Sequence, residues 1–181
     1  MQILLKILSL LKTLLGLEKQ KLEIIQEIPA NDDWIDEKIE PEPTNADAER
    51  LYKVAVSYLG KDASPKDLAT DEFGCAETIS NIIHEVFPDF PPEILSTSDL
   101  NNEFKKSLRF RQTLTPSEGA IIISPRTEKM YGHVGIFLSG SGIASNNSKT
   151  GLFDMNYNFE TWARTFGAKG RGLKIYIYKV I

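Results

Sequence analysis

The chain has 181 residues, room for one globular domain plus an extension, and its 41% hydrophobic and 25% charged content excludes a wholly disordered chain, a collagen and a polytopic membrane protein. A net charge of −4 and a sequence pI near 5.3 argue against nucleic acid as a partner. One cysteine, Cys75, and two histidines, His84 and His133, exclude an internal disulfide and a zinc site built on several cysteines, so the chemistry has few places to sit.

Residues 3–17 read ILLKILSLLKTLLGL. Ile3, Leu4, Ile7, Leu8, Leu11, Leu14 and Leu15 follow helical spacing, with Lys6, Ser9, Lys12 and Thr13 mainly on the other side. The run is too short to cross a hydrocarbon core of roughly 30 Å, and Lys6 and Lys12 would lie inside it. Its lysines and the Gly16-Leu17-Glu18 sequence also fit poorly with a cleaved signal peptide. Residues 1–17 therefore read as a hydrophobic, amphipathic helix. Three readings stay open for it: a membrane surface, a partner protein, or docking on the domain.

Residues 18–49 carry eleven Asp and Glu against three Lys, with Pro29, Pro41 and Pro43 among them. Like charges, low hydrophobicity and proline describe an acidic linker over residues 18–45. The domain itself is placed at residues 46–181.

Helical periodicity returns from Asp47 to Leu59, where Leu51, Val54, Ala55, Tyr58 and Leu59 share a face and Gly60 ends the run. A second helix spans Cys75 to Phe87, with Asp71 as a candidate cap and Pro88 as its stop. A third lies within Thr97 to Phe110, marked by Leu100, Phe104 and Leu108. The period then changes. Gly119–Ser124, His133–Leu138 and Ile143–Asn147 read as strands, the last two joined by the Ser139-Gly140-Ser141-Gly142 turn. Phe159–Phe166 reads as a short helix around Trp162, and Lys174–Ile181 as a closing strand. Helices first and an antiparallel sheet after them make an α+β domain.

Cys75 opens its helix. A thiol there meets the positive end of the helix dipole and unpaired N–H groups, which favour the thiolate and can hold an oxyanion. Gly74 would let a substrate come close. The competing reading is a small core residue, because Cys75 shares the face of Ile79, Ile82 and Val86. A nucleophilic thiol needs a base. His84, nine residues on at about 100° each, lies half a turn round the helix from Cys75. His133, between Gly132 and Val134-Gly135 on a strand, is the better candidate. An Asn carbonyl could then orient the imidazole, and Asn146 or Asn147 stand on the neighbouring strand with Ser145 beside them. Glu77 lies about 200° from Cys75 and is a poor direct partner for it.

Taken in order, these segments resemble the NlpC- and CHAP-type cysteine peptidases and amidases, a papain-like superfamily. Asp71 to Ser80 (DEFGCAETIS) is similar to that family's Cys-bearing helix start, Thr115 to Ser124 (TPSEGAIIIS) to the strand before its histidine, and Gly132 to Leu138 (GHVGIFL) to the histidine strand. The likeness covers roughly residues 47–181 and leans toward small phage-encoded domains, with Ser145 to Gly151 and Trp162 as further points of similarity. The resemblance implies N-terminal helices packed on an antiparallel sheet. It also implies amide hydrolysis in peptidoglycan stem peptides, by an endolysin or a virion-associated enzyme made in the cytoplasm of an infected bacterium and acting at its cell wall. Catalysis would fall to Cys75, His133 and Asn146 or Asn147, and substrate contacts to Gly74, Gly132, Ser145 and Trp162, with no cofactor and no metal. The Gly74-Cys75-Ala76-Glu77 sequence departs from the family's usual Asp-Cys-Ser-Gly, and no Tyr-x-Trp-Gly-Gly stretch precedes Cys75. Two other readings stand beside this one: a non-catalytic structural or binding module of a phage particle, and another thiol enzyme such as an acyltransferase or deamidase. A Cys75 paired with His133⁺ at a helix start should have a pKa well below about 8.5.

Overall fold

Apolar spacing at i, i+3 and i+4 produces the first three helices, and each buries that stripe on the sheet that follows. A computed structural model describes residues 45–64 and 74–181, which lie in one compact unit spanning Lys38–Ile181. The expectations for residues 1–17, for the linker and for Asp71 as a cap fall outside the described residues.

Helix α1 (Asn45–Ser57) buries Leu51 and Ala55. Gly60, at φ +75°, turns the chain out of it, and backbone bonds from Gly60 to Phe153 (2.9 Å) and from Phe153 to Lys61 (2.9 Å) tie that turn to the sheet. Helix α2 (Cys75–Val86) buries Ile79, Ile82, Ile83 and Val86 and stops one residue before the Phe87-Pro88 pair. Helix α3 (Thr97–Lys106) buries Leu100 and Phe104. It ends sooner than the Leu100, Phe104, Leu108 spacing suggests. Leu108 is 71% exposed, because the chain turns extended at Ser107 to start a strand.

The strands are β1 (Phe110–Thr113), β2 (Ile121–Ser124), β3 (His133–Ser139), β4 (Gly142–Asn146), β5 (Phe153–Asn158) and β6 (Tyr176–Val180), with helix α4 (Phe159–Phe166) between the last two. They form one antiparallel sheet in the order β1-β6-β2-β3-β4-β5. Strands β1 and β5 are the two edges, and neither was expected from the sequence. Each has one strand partner, and exposed residues such as Arg111, Met155 and Asn156 interrupt its apolar pattern.

Both faces of the sheet are covered. On one, Ile121, Ile123, Val134, Ile136, Ala144 and Tyr178 pack against α1, α2 and α3. On the other, Ile122, Phe137, Ile143 and Ile177 pack with Trp162 and Phe166 of α4 and with Leu173. That double burial explains the unbroken apolar run of β2, where a half-exposed strand would alternate. Helix α4 begins with a capping box: Asn158 Oδ1 accepts from the Thr161 N–H (2.8 Å), and Thr161 Oγ1 accepts from the Asn158 N–H (2.9 Å). The expected α+β architecture, with helices on an antiparallel sheet, is what the chain forms.

Candidate active site

Gly74 is the N-cap of α2, at φ −67°, and has no side chain with which to accept a first-turn N–H. Cys75 follows at 7% exposure, packed in the core shared with Val134 and Ile79. The backbone N–H groups of Val134, Ala76 and Cys75 itself and the cation of Arg171 favour the thiolate. Burial outweighs them and pushes the thiol up to about 11. The expected depressed pKa is therefore reversed. Helix-start dipoles act on a sulfur that has lost its water, and desolvation is the larger effect.

His133 is the first residue of β3. Alternation sends Val134 to the helix layer, where it shares the core with Cys75, and His133 to the α4 layer, where it meets Trp162 and Phe166. Among the described residues no hydrogen bond joins them. The imidazole sits in an aromatic box: it stacks on Trp162 (5.3 Å, 29°) and Phe166 (5.3 Å, 20°) and meets Tyr157 edge-on (5.5 Å). Desolvation in this box, with the positive charge of Arg171 added, lowers the imidazole pKa well below its ordinary value. The resting pair is thus a protonated thiol and a neutral imidazole, not a thiolate–imidazolium pair.

The imidazole Nε2 bonds to Ser145 Oγ at 2.8 Å. Ser145 Oγ in turn donates to Asn156 Oδ1 at 2.7 Å, and Asn156 Nδ2 donates to the Ser145 carbonyl at 3.4 Å. Neither Asn146 nor Asn147 occupies the place expected for an orienting amide at that nitrogen. Asn146 is buried but, one residue past Ser145, points to the opposite face of β4. Asn147 serves a turn: its Oδ1 accepts from the Lys149 N–H (3.0 Å) and its Nδ2 donates to Asp154 (3.3 Å). His84, as its place on α2 implied, is remote, with Nδ1 against the Phe90 carbonyl at 2.7 Å.

Three expected substrate contacts have other roles. Trp162 is fully buried, and its Nε1–H donates to Ser124 Oγ at 3.0 Å, so it supports the imidazole from beneath and has no surface to offer a substrate. A Cβ at Gly132 would run into the Ser124 carbonyl, Thr97 Oγ1 and the Arg126 nitrogen, so glycine is needed there for close packing of the chain before β3. Ser145, expected as a substrate contact, is wholly buried and spends its hydroxyl on His133 and Asn156.

Four residues around the imidazole were not singled out from sequence: Asn156, Tyr157, Phe166 and Arg171. Phe166 was within reach, since it follows Trp162 at i+4 on α4. Arg171 is exposed; it donates to the Tyr131 carbonyl (2.9 Å) and lies over Phe166 (5.0 Å to the ring centre), fastening the segment before β3 to the segment after α4. No spacing rule links it to the site.

No protein-family profile matches the chain, and no curated protein matches it. Among solved structures, a chain of the type VI native effector–immunity complex Tae3–Tai3 from Ralstonia pickettii is similar to it, at 16% identity, over 73% of this chain and 97% of that chain, with a TM-score of 0.48.

Proposed function

We propose that residues 46–181 form a papain-like cysteine hydrolase of the NlpC/CHAP type that cleaves amide bonds in the stem peptides of bacterial peptidoglycan. One observation carries the thiol-hydrolase part: Cys75, the first residue of α2, shares its core with Val134, the residue next to His133 on β3. The substrate class rests on the similarity of the Cys75 and His133 segments to that family. A wall substrate would place the protein at the cell wall or on a virion, with residues 1–17 as its anchor to a membrane surface or a partner.

In this reading the resting pair is neutral until substrate arrives. The thiol gives its proton to the His133 imidazole as the sulfur attacks the amide carbonyl carbon and the C–S bond forms. First-turn N–H groups of α2 hold the oxyanion. The imidazolium returns the proton to the leaving nitrogen as the C–N bond breaks, leaving a thioester. Water, deprotonated by His133, attacks the thioester; the C–S bond breaks and the thiol regains its proton.

The test is digestion of purified peptidoglycan by the full chain, read by mass spectrometry of the released fragments. The expected result is matched new amine and carboxyl ends with the parent, none with Cys75→Ala or His133→Ala, and an acyl adduct on Cys75 after acid quench. Cleavage that survives Cys75→Ala would overturn the mechanism. A second reading, a non-catalytic wall-binding module, is favoured by the buried, protonated thiol with no bond to the imidazole. Retention on peptidoglycan without any cleavage by the parent would select it.

A further inference from the structure

We infer that Asn156, acting through the Ser145 hydroxyl, is a positioning residue that sets which nitrogen of His133 carries the hydrogen. The β4–β5 register slips by one residue between Ile143 and Ala144. Ile143 pairs with Tyr157 and Ala144 with Met155, so Asn156 is an extra residue on β5. Strict alternation would send Asn156 and Tyr157 to opposite faces. The bulge instead turns both toward the α4 layer, where Tyr157 meets the imidazole ring and Asn156 meets Ser145.

Counting hydrogens then fixes the tautomer. The Asn156 amide has one orientation that works, because its Nδ2 faces the Ser145 carbonyl, which only accepts. That leaves Oδ1 facing Ser145 Oγ, and Oδ1 only accepts as well, so the single Ser145 hydroxyl hydrogen goes to Asn156. What Ser145 can offer His133 is a lone pair. The hydrogen between them must therefore belong to Nε2, which leaves the lone pair of the neutral ring on Nδ1. For the hydrolase this makes Nδ1 the atom that takes the thiol proton. That consequence rests on the proposed function; the tautomer itself does not.

The rest of the molecule supplies a control. His84 faces the Phe90 carbonyl through Nδ1, so its hydrogen belongs on Nδ1, the opposite tautomer. With two histidines in the chain, nitrogen-15 NMR of the imidazoles at pH 8 reads both at once, and His84→Gln assigns them. The expected spectrum of the full chain has His133 hydrogenated on Nε2 and His84 on Nδ1. Asn156 is exposed, so replacing it leaves the core intact, which the fluorescence of Trp162 checks. In Asn156→Leu the Ser145 hydroxyl loses its acceptor and turns toward His133, and Nδ1–H should gain population while His84 stays unchanged. Asn156→Asp keeps an acceptor and should keep the Nε2–H form.

In the hydrolysis assay, Asn156→Leu should lower kcat about 100-fold with KM within about twofold, and Asn156→Asp should recover most of the loss. A parent His133 carrying its hydrogen on Nδ1, or an Nε2–H form untouched by Asn156→Leu, overturns the inference. So does a tautomer change that leaves kcat as it was, since the residue would then position nothing the reaction uses. A parent that cleaves nothing while its tautomer responds as described removes the hydrolase reading and leaves the relay standing.

Discussion

Replacing His133 by Gln should flatten the acid side of the stability profile, and the sign of the change separates two pictures of the site. In the folded chain the imidazole is held neutral down to about pH 3 by desolvation and by the charge of Arg171. In the unfolded chain it titrates near its ordinary 6.5. A group whose pKa is lowered by folding contributes stability above the unfolded value, and that stability drains away as the pH falls toward the folded value. Between pH 8 and pH 5 the loss from one such group is about 2 kcal/mol, from 1.36 kcal/mol per pH unit below about 6.5.

The assay is urea unfolding at several pH values, followed by the fluorescence of buried Trp162 in a Trp34→Phe background. Other groups titrate in both proteins, so the quantity read is the difference between parent and His133→Gln. The parent should lose about 2 kcal/mol more than the variant on going from pH 8 to pH 5. A thiolate–imidazolium pair would do the reverse: its raised imidazole pKa would make the parent gain on the variant as the pH falls. Parallel profiles, or that opposite sign, would refute the neutral-pair reasoning. On the alkaline side Cys75, raised to about 11, should cost stability as the pH climbs past the unfolded thiol value near 8.5, and Cys75→Ala should remove that loss.

The same geometry yields further expectations. Alkylation of Cys75 by iodoacetamide should be slow at pH 7 and rise only well above pH 9; fast reaction near neutrality would mean the thiol is not desolvated. Arg171→Gln should move the imidazole and the thiol pKa upward together, because the guanidinium disfavours His133⁺ and favours the thiolate; NMR titration of His133 with the alkylation profile of Cys75 checks both. Trp162→Phe should cost about 1–3 kcal/mol in urea unfolding, from a void and from a buried Ser124 hydroxyl that loses its indole partner. Gly132→Ala should cost about 1–3 kcal/mol, since its Cβ meets backbone atoms of the β2 end that cannot swing aside; an unchanged midpoint would show that the segment before β3 is looser than its packing implies.

Periodicity in the amino-acid sequence was enough for the helices that carry apolar stripes and for β2, β3, β4 and β6, because burial on a sheet leaves a pattern of three to four in a helix and an apolar run or alternation in a strand. It was enough for the α+β order and for Cys75 at a helix start. It also singled out His133 over His84, since half a turn of helix separates His84 from the thiol whatever the tertiary fold. It missed the edge strands β1 and β5, whose single neighbours leave little hydrophobic pattern. It ran α3 on to Leu108, where the spacing continued although the backbone had already turned extended.

The orienting residue of His133 lay beyond what periodicity can reach. Choosing among Ser145, Asn146 and Asn147 requires knowing which face of β4 His133 shares, and that depends on how β3 and β4 pair. Asn156 depends on a further accident of pairing, the extra residue on β5 that turns two adjacent side chains to one face. The state of the thiol was decided in the same way. The helix dipole and the N–H donors around Cys75 are local and legible in the sequence, whereas its desolvation comes from layers packed over it from distant parts of the chain. Local order along the chain determines elements and candidate chemistry. Register and burial are sums over long-range contacts, and they alone decided which groups meet at the site and in which protonation state.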